Sequence, residues 1–234
     1  MSHLDNIGFK ISSAEAFDAL VSEIFAKGQE IEVDEGKYIC YQDSSGAEIY
    51  AQIDEAGEFL GFMPFYDTKL TKTVQVSEAI SYPDATVLDK RYMAKSVNNV
   101  YPFVFDVVNA KQRLLSSTSE DLAFVAFPTE IAYFAKAEDF LEEMPELSTT
   151  YFIPVGLMNE EGGAKENPEP YAMFIGEVKS IELKRNTFFD VDFYVLELAV
   201  FEGDVTVVSL RENFKIEPQV GGFVHGVFWM SAKV

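Results

Sequence analysis

The sequence predicts a strand-rich α+β fold, an N-terminal helix-backed antiparallel sheet followed by a C-terminal small β-barrel, and three observations predict it. The first is an amphipathic stripe, Phe17, Leu20, Val21, Ile24 and Phe25, whose spacing of three and four residues is helical. Ser12 and Glu15 stand before it in the S-x-x-E capping pattern, and Gly28 follows it as a left-handed stop. The second is the stretch YICYQDSSGAEIYAQID, Tyr38 to Asp54, in which two alternating apolar runs flank an Asp43-Ser44-Ser45-Gly46 turn. The third is a series of five apolar runs after residue 150, Tyr151–Leu157, Ala172–Leu183, Phe188–Phe201, Val205–Leu210 and Gly222–Met230. Polar turns at KRNT and EGD divide some of these runs, a spacing that suits a small barrel.

Taken in order, Asn6–Ile11 is expected as a first strand, then the helix, then an acidic connector over Gln29–Gly36. Lys37–Gln42 and Ala47–Ile53 form the hairpin, and a turn at Asp54–Gly57 leads into Glu58–Tyr66. Beyond it, KTVQVSEAISYP alternates loosely, while YPFVFDVV and LAFVAFPTEIAYFA read as buried strands. A short helix, Ala137–Met144, buries Phe140, Leu141 and Met144 and stops at Pro145. Its outer face, Glu138, Asp139, Glu142 and Glu143, is expected to be solvated. Asn159–Pro170, with its glycine pair and two prolines, is a long loop. The expected domains are residues 1–147 and 148–234.

The order strand, capped helix, glycine, then strands around D-x-x-G-A-E-I resembles one βαβββ module of the vicinal oxygen chelate superfamily, to which glyoxalase, extradiol dioxygenase and bleomycin-resistance proteins belong. The resemblance covers residues 1–70, and a second module in 71–135 would be degenerate. It implies a sheet whose free face shapes a cavity, with His and Glu ligands drawn from its strands. Here the two histidines, His3 and His225, fall outside the matching positions, so Glu48 and Glu58 could serve as ligands only with partners from elsewhere. The C-terminal unit resembles an OB-like five-stranded barrel in pattern. Such barrels bind single-stranded nucleic acid along a basic groove, for which only Lys184, Arg185 and Arg211 are at hand.

Charge bounds the function further. There are 39 acidic and 18 basic residues and a net charge of -21, and residues 1–70 alone hold 14 acids against 4 bases. Binding to phosphate backbones or anionic lipid depends on lysine and arginine, so nucleic acid and membrane surfaces are poor partners, and basic proteins are favoured. No window approaches the ~18 apolar residues of a spanning helix, and Met-Ser-His-Leu-Asp lacks a signal-peptide pattern, which predicts a cytoplasmic protein. Cys40 stands alone and cannot form an internal disulfide.

The candidate residues each carry a specific reason. Glu30, Glu32 and Asp34 would share one side of an extended connector, as a solvated acidic edge rather than a cation loop, since the spacing does not match an EF-hand. Glu48, Tyr50 and Glu58 would line the sheet's concavity. In GGFVHGVFWM, Phe223, His225, Val227 and Trp229 share a face, which would set a polar group beside an indole. Cys40 lacks the neighbouring cation a nucleophilic thiolate needs, and no GxSxG elbow, Walker loop, GxGxxG turn or HExxH helix occurs. No metal or cofactor is expected. The expected function is a non-enzymatic acidic protein that binds a basic protein partner, as an inhibitor or immunity protein does. The alternatives are a small-molecule binder or metal-dependent enzyme of the chelate type, and an OB-type nucleic-acid binder.

Overall fold

The computed structural model describes residues 3–96, 101–109, 119–159, 161–201 and 203–234. After a 3-10 turn at Asp5–Ile7 comes helix α1, Ala14–Lys27. A four-stranded meander follows: β1 (Gln29–Val33), β2 (Gly36–Gln42), β3 (Ala47–Asp54) and β4 (Phe59–Tyr66). Then come β5 (Thr71–Ile80), β6 (Arg91–Ser96), β7 (Pro102–Val108), β8 (Ser119–Phe134) and helix α2 (Ala137–Glu143). The chain ends with β9 (Tyr151–Ile153), β10 (Tyr171–Asn186), β11 (Val191–Val200), β12 (Gly203–Leu210) and β13 (Phe223–Lys233).

The N-terminal region departs from the chelate pattern. Its expected first strand is the 3-10 turn, because Asn6 and Ile7 turn inward and the Asn6 amide donates to the Pro128 carbonyl (3.2 Å). The acidic connector is itself strand β1, and β1 to β4 pair in simple antiparallel sequence without curling closed. The helix is capped one residue later than expected, with the Ser13 hydroxyl accepting from the Ala16 N–H (3.2 Å). Gly28 is not left-handed (φ -68°); it is glycine because a Cβ there would lie 2.4 Å from an Ile39 methyl and 2.5 Å from the Ile24 carbonyl oxygen. Among the described residues, 71–135 hold the strands β5 to β8 and no helix.

The C-terminal strands do not form an OB-like barrel. Strands β11, β12, β8, β5, β6, β7, β13 and β10 follow one another round a ring, with β9 outside β10. The ring is not a closed barrel, because β8 and β13 pair with each other directly across it. Both strands are apolar on both faces, so neither can stand at an edge, and the other C-terminal strands satisfy only part of their hydrogen bonding. At Gly226 a Cβ would sit 2.1 Å from the Glu130 carbonyl oxygen, beside the irregularity in the β8–β13 ladder, so glycine permits the close approach.

Alternation then sorts the side chains into two layers. Val224, Phe228, Met230 and Ala232 of β13 point into the ring with Phe103, Phe105, Phe124, Phe174, Leu196 and Val207, an interior drawn from both halves of the chain. The meander lies against the outside of this ring. One meander face, carrying Ile39, Ala51 and Phe62, meets α1, whose Phe17 ring is 5.8 Å from that of Phe62. The opposite face carries Tyr38, Cys40, Glu48, Tyr50 and Gln52, and it turns toward the ring. The Asn159–Pro170 loop is held by the Asn159 carboxamide, which accepts from the Glu161 and Gly163 N–H groups (3.1 and 2.7 Å). Glu160 lies outside the described residues.

Candidate functional site

The predicted residues separate into three places. Glu30, Glu32 and Asp34 are exposed at the β1 edge, as expected for a solvated rim, and Glu30 pairs with the Lys37 ammonium (2.9 Å). Glu58 is exposed at the other end of the meander, where its N–H donates to the Asp54 side chain (2.8 Å). It shares no site with Glu48.

Glu48 lines a cleft and is held there by a set of donors. It is 5% exposed, and its two oxygens accept from Lys233 Nζ (2.8 and 3.0 Å), Gln42 Nε2 (3.1 Å) and the Tyr50 hydroxyl (2.9 Å). Lys233 comes from β13, so this ion pair pins the meander to the ring. Its position could not be read from the sequence, because 185 residues separate the partners. That cleft, of about 530 Å³, is lined by Glu48 and Tyr50 together with Gln29, Ile31, Cys40, Gln42 and Asn109. Burial pushes the Cys40 thiol up, away from thiolate character.

His225 and Trp229 share the outer face of β13 as predicted, yet they serve different neighbourhoods. The Trp229 indole N–H donates to Asp106 Oδ2 (2.9 Å), and Arg91 holds both oxygens of the same carboxylate (2.7 and 3.2 Å). Burial pushes the Asp106 carboxyl up, while Arg91 and Trp229 favour its charged form. The histidine that stacks on Trp229 is His3, with ring centroids 4.6 Å apart. Burial lowers its pKa to about 4. His225 instead lies under α2, 5.5 Å from the Phe140 ring and 6.0 Å from that of Tyr151. Its Nε2 is buried without a hydrogen-bond partner among the described residues, and burial lowers its pKa against the pull of Glu143 and Glu130.

The surface carries its charges unevenly. The bases expected to form a nucleic-acid patch are each engaged by carboxylates: Lys184 with Glu182 (2.5 Å), Arg185 with Asp190 and Asp192 (2.5 and 3.2 Å), and Arg211 with Glu217 and Asp192 (2.6 and 3.7 Å). Around α2 the opposite holds. Glu130, Glu138, Asp139, Glu142, Glu143 and Glu146 are exposed, and no ion pair involves any of them among the described residues. The helix repeats acids at its outer positions while Phe140 anchors it to Phe134 and Ile175. The sequence showed this face as a solvated one, and Lys136, exposed at its start, has no ion pair either among the described residues. Among the described residues no group of three or more metal-ligating side chains converges, and no helix is long and apolar enough to cross a membrane. Comparisons with protein-family models, curated proteins and solved structures found no match.

Proposed function

We propose that this chain is a non-enzymatic acidic interaction protein whose α2 face binds a basic protein partner, as an inhibitor or immunity protein would. The observation that carries this reading is the uneven ion pairing. Arginines and lysines of the C-terminal strands are neutralised at home, whereas the α2 carboxylates present uncompensated negative charge on a helix fixed by its apolar side. Such a field accelerates association with a cationic surface and weakens as salt screens it.

The test is affinity capture from host lysate at low and high salt, using wild type and the variant Glu138→Gln/Asp139→Asn/Glu142→Gln/Glu143→Gln. A basic protein retained by wild type at low salt, released by high salt and missed by the variant is expected. Equal capture by both proteins, or no basic protein at any salt, overturns the reading.

A further inference from the structure

Beside the acidic face lies an apolar groove of about 350 Å³, lined by Tyr101, Tyr151, Phe152, Ile153, Pro154, Met158 and Phe201 among others. Three of these are large and openly exposed: Tyr101 (59%), Met158 (45%) and Phe201 (56%). Single exposed apolar side chains are ordinary; several converging on one concavity mark a contact surface. The groove runs along β9, which ends the sheet order and, among the described residues, is paired on one side only, by β10. An edge strand of this kind offers backbone groups to an added strand, with alternate side chains free to enter a neighbouring pocket.

The groove and the acidic helix are continuous. Tyr151 lines the groove and also packs in the cluster beneath α2, beside Phe140, Met144 and Leu147. An occupant of the groove therefore lies against the same cluster that anchors α2, and Thr150, which also lines the groove, follows the exposed Glu146 by four residues. A second copy of this chain would bring another net charge of -21 to that flank, which the shared sign opposes. A cationic chain meets attraction instead.

We propose that the groove and the β9 edge receive an extended segment of the basic partner, in which cationic side chains face α2 and an apolar side chain fills the pocket. This rests on the interaction reading above and adds to it the partner's local chemistry: an alternating cationic and apolar strand. The binding is then divided between a long-range charge term from α2 and a short-range apolar term from the groove.

Fluorescence anisotropy with three labelled ten-residue peptides separates the two terms: alternating Lys and Val with one central Phe, alternating Lys and Ser, and the first with Glu for Lys. The proteins are wild type, the α2 variant above and Met158→Ser/Phe201→Ser, whose substituted side chains are exposed; circular dichroism checks that each is folded. Wild type is expected to bind the Lys-Val-Phe peptide about tenfold tighter than Lys-Ser, as burial of one aromatic side chain predicts. The groove variant is expected to lose that advantage while binding Lys-Ser unchanged.

If the groove variant keeps the advantage, or wild type never shows one, the groove inference falls and the interaction reading stands. If wild type does not discriminate either lysine peptide from the glutamate peptide, the interaction reading falls and this inference with it. Sedimentation that shows a wild-type dimer dispersed by Phe201→Ser would give the groove to a second copy and overturn the proposal.

Discussion

Inside the ring, Phe174 stacks on Phe228 at 4.1 Å and Phe105 meets Phe124 at 5.1 Å, in an interior built almost wholly of hydrocarbon. One strand's thickness away, between ring and meander, the buried groups are a different set. Glu48 is held by Lys233 and Gln52 donates to Asp89 (3.0 Å), while on the ring's own outer face Asp106 of β7 is held by Arg91 of β6 and Trp229 of β13. The Tyr38 hydroxyl donates to the Leu88 carbonyl (2.8 Å). The difference teaches what each layer does. Hydrocarbon contact is strong but non-directional, so it holds the ring strands together; directional hydrogen bonds are weak in net free energy but fix one docking position for the meander.

Two sets of substitutions would break this contrast. Phe228→Ala removes a fully buried ring and should cost about 3 to 5 kcal/mol in urea unfolding, with no partner substitution able to recover it. Asp106→Ala should also cost about 3 to 5 kcal/mol, because the Arg91 guanidinium is then buried without its counter-charge. Here a partner substitution helps: Asp106→Leu with Arg91→Met should recover most of the loss, leaving a deficit of about 1 to 2 kcal/mol from the orphaned Trp229 N–H. If the double variant is as unstable as Asp106→Ala, the polar groups on the ring's outer face contribute to stability in the same way as its interior, and the distinction fails.

The smallest expected effect concerns pH. The folded pKa of His225 is lowered from 6.5 by burial, so the unfolded chain takes up its proton first. Its contribution to stability is therefore complete above about pH 6.5 and lost progressively as pH falls below that value. His3, at about 4, acts with the same sign over the same range. His225→Phe should flatten the fall in unfolding free energy, measured by urea titration, between pH 7 and 5 by less than about 1.4 kcal/mol per pH unit, and His3→Phe should remove a separate share. An unchanged slope in His225→Phe would show that the group beneath α2 does not titrate in this range.

Much of the local structure was legible in the sequence. The α1 stripe, the Asp43–Gly46 turn, the face shared by His225 and Trp229 and the short α2 all follow from periodicity and turn chemistry. The register of partners was not. Alternation in β13 says that both faces are covered, but not that β8 covers one edge, so a local barrel looked sufficient. Asp43 illustrates the same limit: it accepts from the Ser45 N–H (2.9 Å) to set its own turn, as the sequence suggests, and also from the Thr187 N–H (3.1 Å), which only the fold brings near. The α2 face was visible as a row of acids, but the counter-charges of the C-terminal arginines and lysines were not, because they lie on neighbouring strands and turns.

The β8–β13 pair has a consequence for how the chain reaches this state. Phe127 faces Trp229 across a ladder whose strands are separated by roughly a hundred residues of sequence, and contacts that distant slow folding because the loop must close before they contribute. On a ribosome, β5 to β8 emerge well before the strand that will lie between β7 and β8. Until it arrives, two apolar edges stand open to one another and to any other nascent chain. Strand β13 is thus the keystone of assembly, because it covers edges of both β7 and β8.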